Sequence, residues 1–224
     1  LLFKMKSRFF DELIKRHPEL ECCGAAIEHA ADIISSAFGQ GGRLFICGNG
    51  GSAADALHIA GELCKGFLSR RPLSDEFKAL LRAGGCTLDD RALSALQWGL
   101  PAIPLTGSDA LFTAFINDVD AELVFAQQLF ALGSSGDALL AISTSGNSKN
   151  VAAAASLARG MGIAVVALTG HDGGRLGDLS DAAIKVPATE TPHVQELHLP
   201  VYHALCAALE ENFEVNGWSK IKKR

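Results

Sequence analysis

The chain has 224 residues, 48% of them hydrophobic and 20% charged, with a formal net charge of −5. That balance belongs to a folded globular chain and excludes a disordered one. The mild acidity gives no electrostatic basis for a nucleic-acid partner, and no run of about 18 or more apolar residues is present to enter a membrane.

Residues 8 to 38 carry Phe9, Leu13, Ile14 and Leu20, then Ala26, Ile27, Ala30, Ile33, Ile34 and Phe38, at helical spacing with a break near Pro18. They predict an N-terminal helical pair that stops at Gly39-Gln40-Gly41-Gly42. Continuous apolar runs predict strands at 43–47, 101–105, 138–142 and 163–168, with a weaker fifth at 182–186. Helical patterns fill about 52–65, 108–131 and 147–160. A long helix from Gln195 to about Phe213 closes the pattern, with Pro200 predicting a local kink. Buried strands alternating with amphipathic helices predict an α/β fold, a three-layer α/β/α sandwich on a parallel sheet of about five strands. A single domain, 1–224, accounts for the whole pattern. The stretch 70–100 opens on Arg70-Arg71-Pro72 and contains Gly84-Gly85 and Asp89-Asp90. It is too long for an ordinary connection and reads as an inserted helical excursion over or beside the site.

Cysteines at 22, 23, 47, 64, 86 and 206 form no C-x-x-C pair and read as reduced thiols of a cytoplasmic protein. A signal-peptide pattern is absent, and Leu1 in place of Met reads as a trimmed chain. Lys220, Lys222, Lys223 and Arg224 read as a solvated basic end.

Two loops carry the strongest chemical signal. Gly48-Asn49-Gly50-Gly51-Ser52 follows the first strand, and Ser143-Thr144-Ser145-Gly146-Asn147-Ser148 follows the third. A strand that ends in small hydroxylated residues and opens into a helix presents backbone N–H groups, hydroxyls and the positive end of a helix dipole, which together suit a phosphate. Neither loop is G-x-G-x-x-G or G-x-x-x-x-G-K-[ST], so dinucleotide and P-loop chemistry is not indicated. Two such loops in one domain point to a phosphorylated polyol. The plainer alternative makes them ordinary turns, with Ser52 and Asn147 or Ser148 as N-caps.

His58 and Glu62, four apart on a predicted helix, share one face and can act as a metal pair, an acid/base pair or a simple surface pair. Near the C-terminus stand His193, Gln195, Glu196, His198 and His203. Gln195 and His203 are about 12 Å apart along a continuous helix, so they reach one ion only if Gln195 precedes the helix or the two come from different subunits. His198 reads as a solvated or capped helix residue.

The series G-N-G-G-S, H-x-x-x-E, N-D, S-T-S-G-N-S and Q-E-x-H-x-x-x-x-H, in that order from Gly48 to His203, resembles the phosphoheptose isomerase family of the SIS (sugar isomerase) superfamily. The resemblance implies conversion of sedoheptulose 7-phosphate to a glycero-manno-heptose 7-phosphate in heptose biosynthesis, by a homotetramer with sites at subunit interfaces. It implies one zinc ion per subunit, held at His58, Glu62, Gln195 and His203. It implies substrate contacts from Asn49, Gly50, Gly51, Ser52, Glu62, Asn117, Asp118, Ser143, Thr144, Ser145, Ser148 and Gln195. Ketose-to-aldose isomerisation needs a base and an acid facing adjacent carbons, for which Glu62 and His203 are the natural pair. The amide is a weak ligand, so the expected ion is labile. Apolar residues Phe9, Leu13, Ile27, Ile33 and Ile34 would bury the N-terminal helices against neighbouring subunits. The chain departs from the family pattern at His193, where a basic residue is usual, at Lys65-Gly66-Phe67, where an Arg is common, and in the length of 70–100. The superfamily also holds non-catalytic members, including a replication-initiator-associating adaptor, so a phosphosugar-binding regulator is the alternative reading.

Overall fold

Five parallel strands, β1 (Leu44–Cys47), β2 (Ala102–Pro104), β3 (Ala138–Ser143), β4 (Ala164–Thr169) and β5 (Ala182–Lys185), form one sheet in the order β2-β1-β3-β4-β5 in the computed structural model. The structure describes residues 6–216; the basic run at Lys220, Lys222, Lys223 and Arg224 lies outside them. Successive strand residues point to opposite faces, so each strand feeds two cores. Leu44, Ile46, Leu140, Ile142, Val166 and Leu168 enter one core, while Phe45, Cys47, Leu139, Ala141, Val165 and Ala167 enter the other. Both faces are dry, which is why the strands read as unbroken apolar runs instead of alternating ones.

The first core is roofed by α1 (Arg8–Arg16), α2 (Gly24–Gly39), α3 (Gly51–Cys64) and α10 (Thr191–Asn216), with a 3₁₀ turn at Pro18–Cys23 joining the first two. The second is roofed by α7 (Val124–Leu132) and α8 (Lys149–Gly160), with Leu176 of α9 (Gly174–Leu179). Phe112 and Phe115 of α6 (Asp109–Asp118) lean on that second core. The expected three-layer sandwich and N-terminal helical pair are present.

Two sequence readings change. Leu13, Ile27 and Ile34 are buried in the chain's own core, and Ile33 packs against it, because α1 lies on α10 and α2 lies across the sheet. Of the five expected contact residues only Phe9 stays half-buried outside that core, so these helices offer a neighbour little apolar surface. The large exposed apolar side chains lie elsewhere and include Ile116, Val119, Leu123 and Phe130. The last helix also begins at Thr191, four residues earlier than expected, and runs through Pro200. Proline there removes one bond to the carbonyl of Glu196, which lies on the exposed side where water can replace it.

The 70–100 stretch holds α4 (Asp75–Ala83) and α5 (Asp90–Ala95). Ser74 caps the first by accepting from the Phe77 amide, and Asp89 caps the second by accepting from Ala92. Its base is closed by a bridge between Pro72 and Gln97 and by the Trp98 amide on the Arg71 carbonyl at 2.7 Å. Beneath that base Glu210 of α10 accepts from the amides of Phe67, Leu68 and Ser69 and from Arg71 Nε at 2.8 Å. Arg71 also donates to the Leu63 carbonyl, so a buried ion pair rivets the chain just beyond α3 to α10. Removing Glu210 would strand the buried guanidinium and three amides at once. Glu210→Ala is expected to destabilise the fold by about 3–5 kcal/mol, and Glu210→Gln by less, in urea unfolding followed by circular dichroism. A loss below about 1 kcal/mol for the alanine variant would refute the rivet.

Candidate active site

β1 lies between β2 and β3, so the chain leaves β1 toward one edge of the sheet and later returns to pair on its other side. Connections that depart in opposite directions from adjacent parallel strands leave a crevice at their carboxyl ends. The two hydroxyl- and glycine-rich loops face each other across this crevice. Their contact is a reciprocal amide pair: Asn49 Nδ2 donates to Asn150 Oδ1 and Asn150 Nδ2 donates to Asn49 Oδ1, each at 2.9 Å. The helices α3 and α8 both begin here, directing two positive helix ends and their free N–H groups at the same space.

The turn-and-cap alternative fails on geometry. Ser148 stands at the N-cap position of α8, but its hydroxyl makes no capping bond and instead lies 3.0 Å from that of Ser143. Ser52 is buried inside α3, whose N-cap is Gly50 at φ +56°. Gly146 is required twice over, by a φ of +66° and by the Gly173 carbonyl, which occupies the place a Cβ would take. Asn147 accepts from the Arg175 amide and donates to the Ser145 carbonyl, stitching the loop to α9. Thr144 and Ser145 remain accessible.

Further along α3 a second group forms. Asp55, His58 and Glu62 are spaced by three and four residues, which places them on one helix face, and Lys65 follows where the helix ends. His58 Nε2 lies 3.2 Å from Glu62 Oε1, and Lys65 Nζ donates to Glu62 Oε2 at 3.1 Å. α10 crosses this face with Tyr202 and His203, whose rings meet His58 near-perpendicularly at 5.5 and 5.1 Å between centroids. Phe67 covers the His203 ring at 5.5 Å. Burial pushes the Glu62 carboxyl up, but the Lys65 and His58 partners outweigh it and hold the group below its ordinary range. The His203 imidazole is held below its ordinary value by burial first and by His58 second, with Glu62 opposing. At neutral pH the group therefore presents an ionised carboxylate beside a neutral imidazole.

The SIS domain family matches this chain over residues 8–94 and 94–170. The phosphoheptose isomerase of Laribacter hongkongensis is 36% identical to it over 213 residues, 94% of this chain and 95% of that protein. The chain belongs to the phosphoheptose isomerase family of SIS-domain enzymes. The isomerase of Crocosphaera subtropica is 40% identical over 83% of this chain and 81% of its own. Among solved structures, the phosphoheptose isomerase of Neisseria gonorrhoeae superposes with a TM-score of 0.70 at 32% identity, covering 90% of this chain and 95% of that one.

Within this isomerase fold the sequence-derived residues fall into three places. Asn49, Gly50, Gly51, Ser52, Ser143, Thr144, Ser145 and Ser148 belong to the two loops at the carboxyl ends of β1 and β3, with Ser52 and Ser143 buried. Gln195 joins them, its amide lying where a side chain at Gly51 would have to go. His58, Glu62 and His203 form the second group, with His58 about 10 Å and Glu62 about 16 Å along α3 from Gly51. Asn117 and Asp118 stand apart at the exposed end of α6, where Asn117 Nδ2 donates to Asp118 Oδ1 at 2.7 Å. Gln195 is inside α10 and not ahead of it, so one chain does not bring it to His203. Among the described residues no three His, Cys, Asp or Glu side chains are arranged to hold a metal ion. Sequence reasoning missed Asn150, Tyr202 and Asp55. The first repeats the loop's own residue type two positions beyond S-T-S-G-N-S, and the second adjoins His203; both were readable signals.

His198 corrects a further reading. It is fully buried, not solvated, because two four-residue steps carry the inward face of α10 from Val194 through His198 to Tyr202. Burial pushes its pKa down to about 4, with the Thr169 backbone opposing only in part. The unfolded chain, with an ordinary histidine near about 6.5, therefore binds the extra proton first. The stabilising contribution is complete above that value and is lost as pH falls toward about 4. Between these limits the loss approaches about 3 kcal/mol. Urea titrations at pH 7 and pH 4.5 should show a steeper decline for wild type than for His198→Gln; equal declines would contradict a neutral buried ring.

Proposed function

We propose that the chain isomerises sedoheptulose 7-phosphate to D-glycero-D-manno-heptose 7-phosphate for heptose biosynthesis. The observation that carries this reading is one fold holding both halves of the required chemistry: an anion crevice with two helix N-termini, and a carboxylate–imidazole group farther along α3. A heptose with its phosphate in the crevice directs its first two carbons along α3 toward Glu62. The phosphate takes the N–H groups of the Gly48 and Ser143 loops and the hydroxyls of Ser52, Ser143, Thr144, Ser145 and Ser148. Glu62 removes a proton from C1, and the electron pair forms the C1–C2 double bond. The C2 oxygen takes a proton from His203. Collapse of the enediol then passes the O1 proton to His203 while protonated Glu62 gives its proton to C2, leaving the aldose and restoring both groups.

Zinc belongs to this reading as a proposal. By donor chemistry His58, Glu62 and His203 suit that ion, although in one chain their side chains are not drawn together around a single point. His58 Nε2 and Glu62 Oε1 face each other at 3.2 Å, a place that takes a cation or a proton. When bound, zinc would polarise the carbonyl and enediolate oxygens. Gln195 reaches such an ion only from another subunit, which agrees with a homotetramer whose sites lie at interfaces. Exposed Ile116, Val119, Leu123 and Phe130 offer apolar surface for that assembly. All six cysteines are free thiols, in keeping with a cytoplasmic protein.

Incubation of purified protein with sedoheptulose 7-phosphate should yield the aldose, and Glu62→Gln should cut kcat by about 10²–10⁴-fold. Equal turnover by the variant would remove Glu62 as base; no turnover by wild type would favour a phosphosugar-binding regulator. Elemental analysis of protein purified without chelator should find zinc that His203→Ala loses. Occupancy should also fall on acidification, because coordinating imidazoles must be neutral. Identical zinc in both proteins, or none in either when zinc is supplied, would refute the ion. A monomeric mass by light scattering would refute the tetramer.

A further inference from the structure

His58 is held from behind by two residues that the chemistry above does not use. Tyr202 Oη lies 3.0 Å from His58 Nδ1 and 3.3 Å from Asp55 Oδ1. An ionised carboxylate only accepts hydrogen bonds, so the phenol proton goes to Asp55. The phenol oxygen, its single proton committed, then accepts from His58 Nδ1–H. With that proton on Nδ1, the Nε2 of a neutral His58 has none to give Glu62 Oε1, 3.2 Å away, and the two bond only when His58 carries a second proton or a cation stands between them. The gap is satisfied only by a proton or a cation.

The cost of this arrangement argues that it is not incidental packing. Tyr202 is buried, and the second Asp55 oxygen, Oδ2, is buried with no hydrogen-bond partner among the described residues. Burial raises the Asp55 carboxyl above its ordinary range, with Tyr202 and His58 pulling it back in part. A small apolar residue at this point of α3 would avoid that penalty. What it would not do is orient the Tyr202 hydroxyl. Acting through the phenol, Asp55 plays the part that a carboxylate plays when it binds a functional histidine directly.

We propose that Tyr202 and Asp55 are positioning residues of the active centre, a carboxylate–phenol relay that keeps the His58 proton on Nδ1 and its Nε2 free toward Glu62 and His203. The consequence for turnover rests on the isomerase reading; the tautomer does not.

Two measurements separate the two. Histidine ¹⁵N chemical shifts of the sugar-free protein report the His58 tautomer directly, with His58→Gln for assignment. Wild type should show the proton on Nδ1, and Tyr202→Phe, which keeps the ring and its packing, should lose that preference. In steady-state assays Tyr202→Phe should lower kcat by about 10–100-fold with little change in KM. Asp55→Ala should match it, Asp55→Asn should recover most of the loss because the amide oxygen still accepts the phenol proton, and Tyr202→Phe with Asp55→Ala should be no worse than Tyr202→Phe alone. An unchanged tautomer in Tyr202→Phe overturns the relay whether or not the sugar is turned over. An Asp55→Asn variant no better than Asp55→Ala removes Asp55 from it.

Discussion

The position of β1 between β2 and β3 is the constraint on which the site depends. Because β2 joins one edge of β1 and β3 the other, the connections leaving β1 and β3 diverge, and each opens into a long helix. Two helix N-termini then address one crevice without any side chain having to carry positive charge into it. The Asn49–Asn150 pair converts this topological accident into a fixed distance, since two hydrogen bonds at 2.9 Å tie residues 101 positions apart. It also occupies the Asn49 side chain, so that residue contributes to ligand binding through its backbone unless the pair opens.

α10 works as the second fixed reference. Along one side it meets a different partner at successive turns: Gln195 against Gly51, His198 beside Thr169, Tyr202 against Asp55 and His58, and Glu210 in the Arg71 rivet. The rivet is far from the crevice, yet it holds Phe67, and Phe67 covers the His203 ring. The unusual Lys65-Gly66-Phe67 sequence and the 70–100 excursion thus meet at one point, where Gly66 donates to Gln97 and the excursion closes.

The fold was legible because both sheet faces are buried: continuous apolar runs between helical patterns leave little other choice. The two loops were legible because glycine, serine and asparagine at strand ends serve a backbone need that local sequence displays. What sequence could not supply were the contacts made across elements. Whether His198 faces water or core depends on how α10 lies on the sheet, and its polar side chain misled where Val194 and Tyr202 on the same face did not. Leu13, Ile27, Ile33 and Ile34 suggested an intersubunit surface only because the area of sheet available to cover them was unknown. Asp55 looked like an ordinary helix residue until Tyr202, 147 positions away, stood above it.

The same geometry decides which partner of Glu62 can yield during proton transfer. Oε1 is turned to the His58 ring and Oε2 holds Lys65, so a carboxylate acting as base needs one of these oxygens cleared. The Lys65 side chain is 60% exposed, and such a pair is worth about 0–1 kcal/mol, within reach of thermal exchange with water. His58 is pinned through Tyr202 to Asp55 and cannot turn away without breaking two further bonds. Oε2 is therefore the oxygen open to substrate. Losing Lys65 also removes the stronger of the two partners that depress the carboxyl, so the same motion that exposes the base raises its basicity.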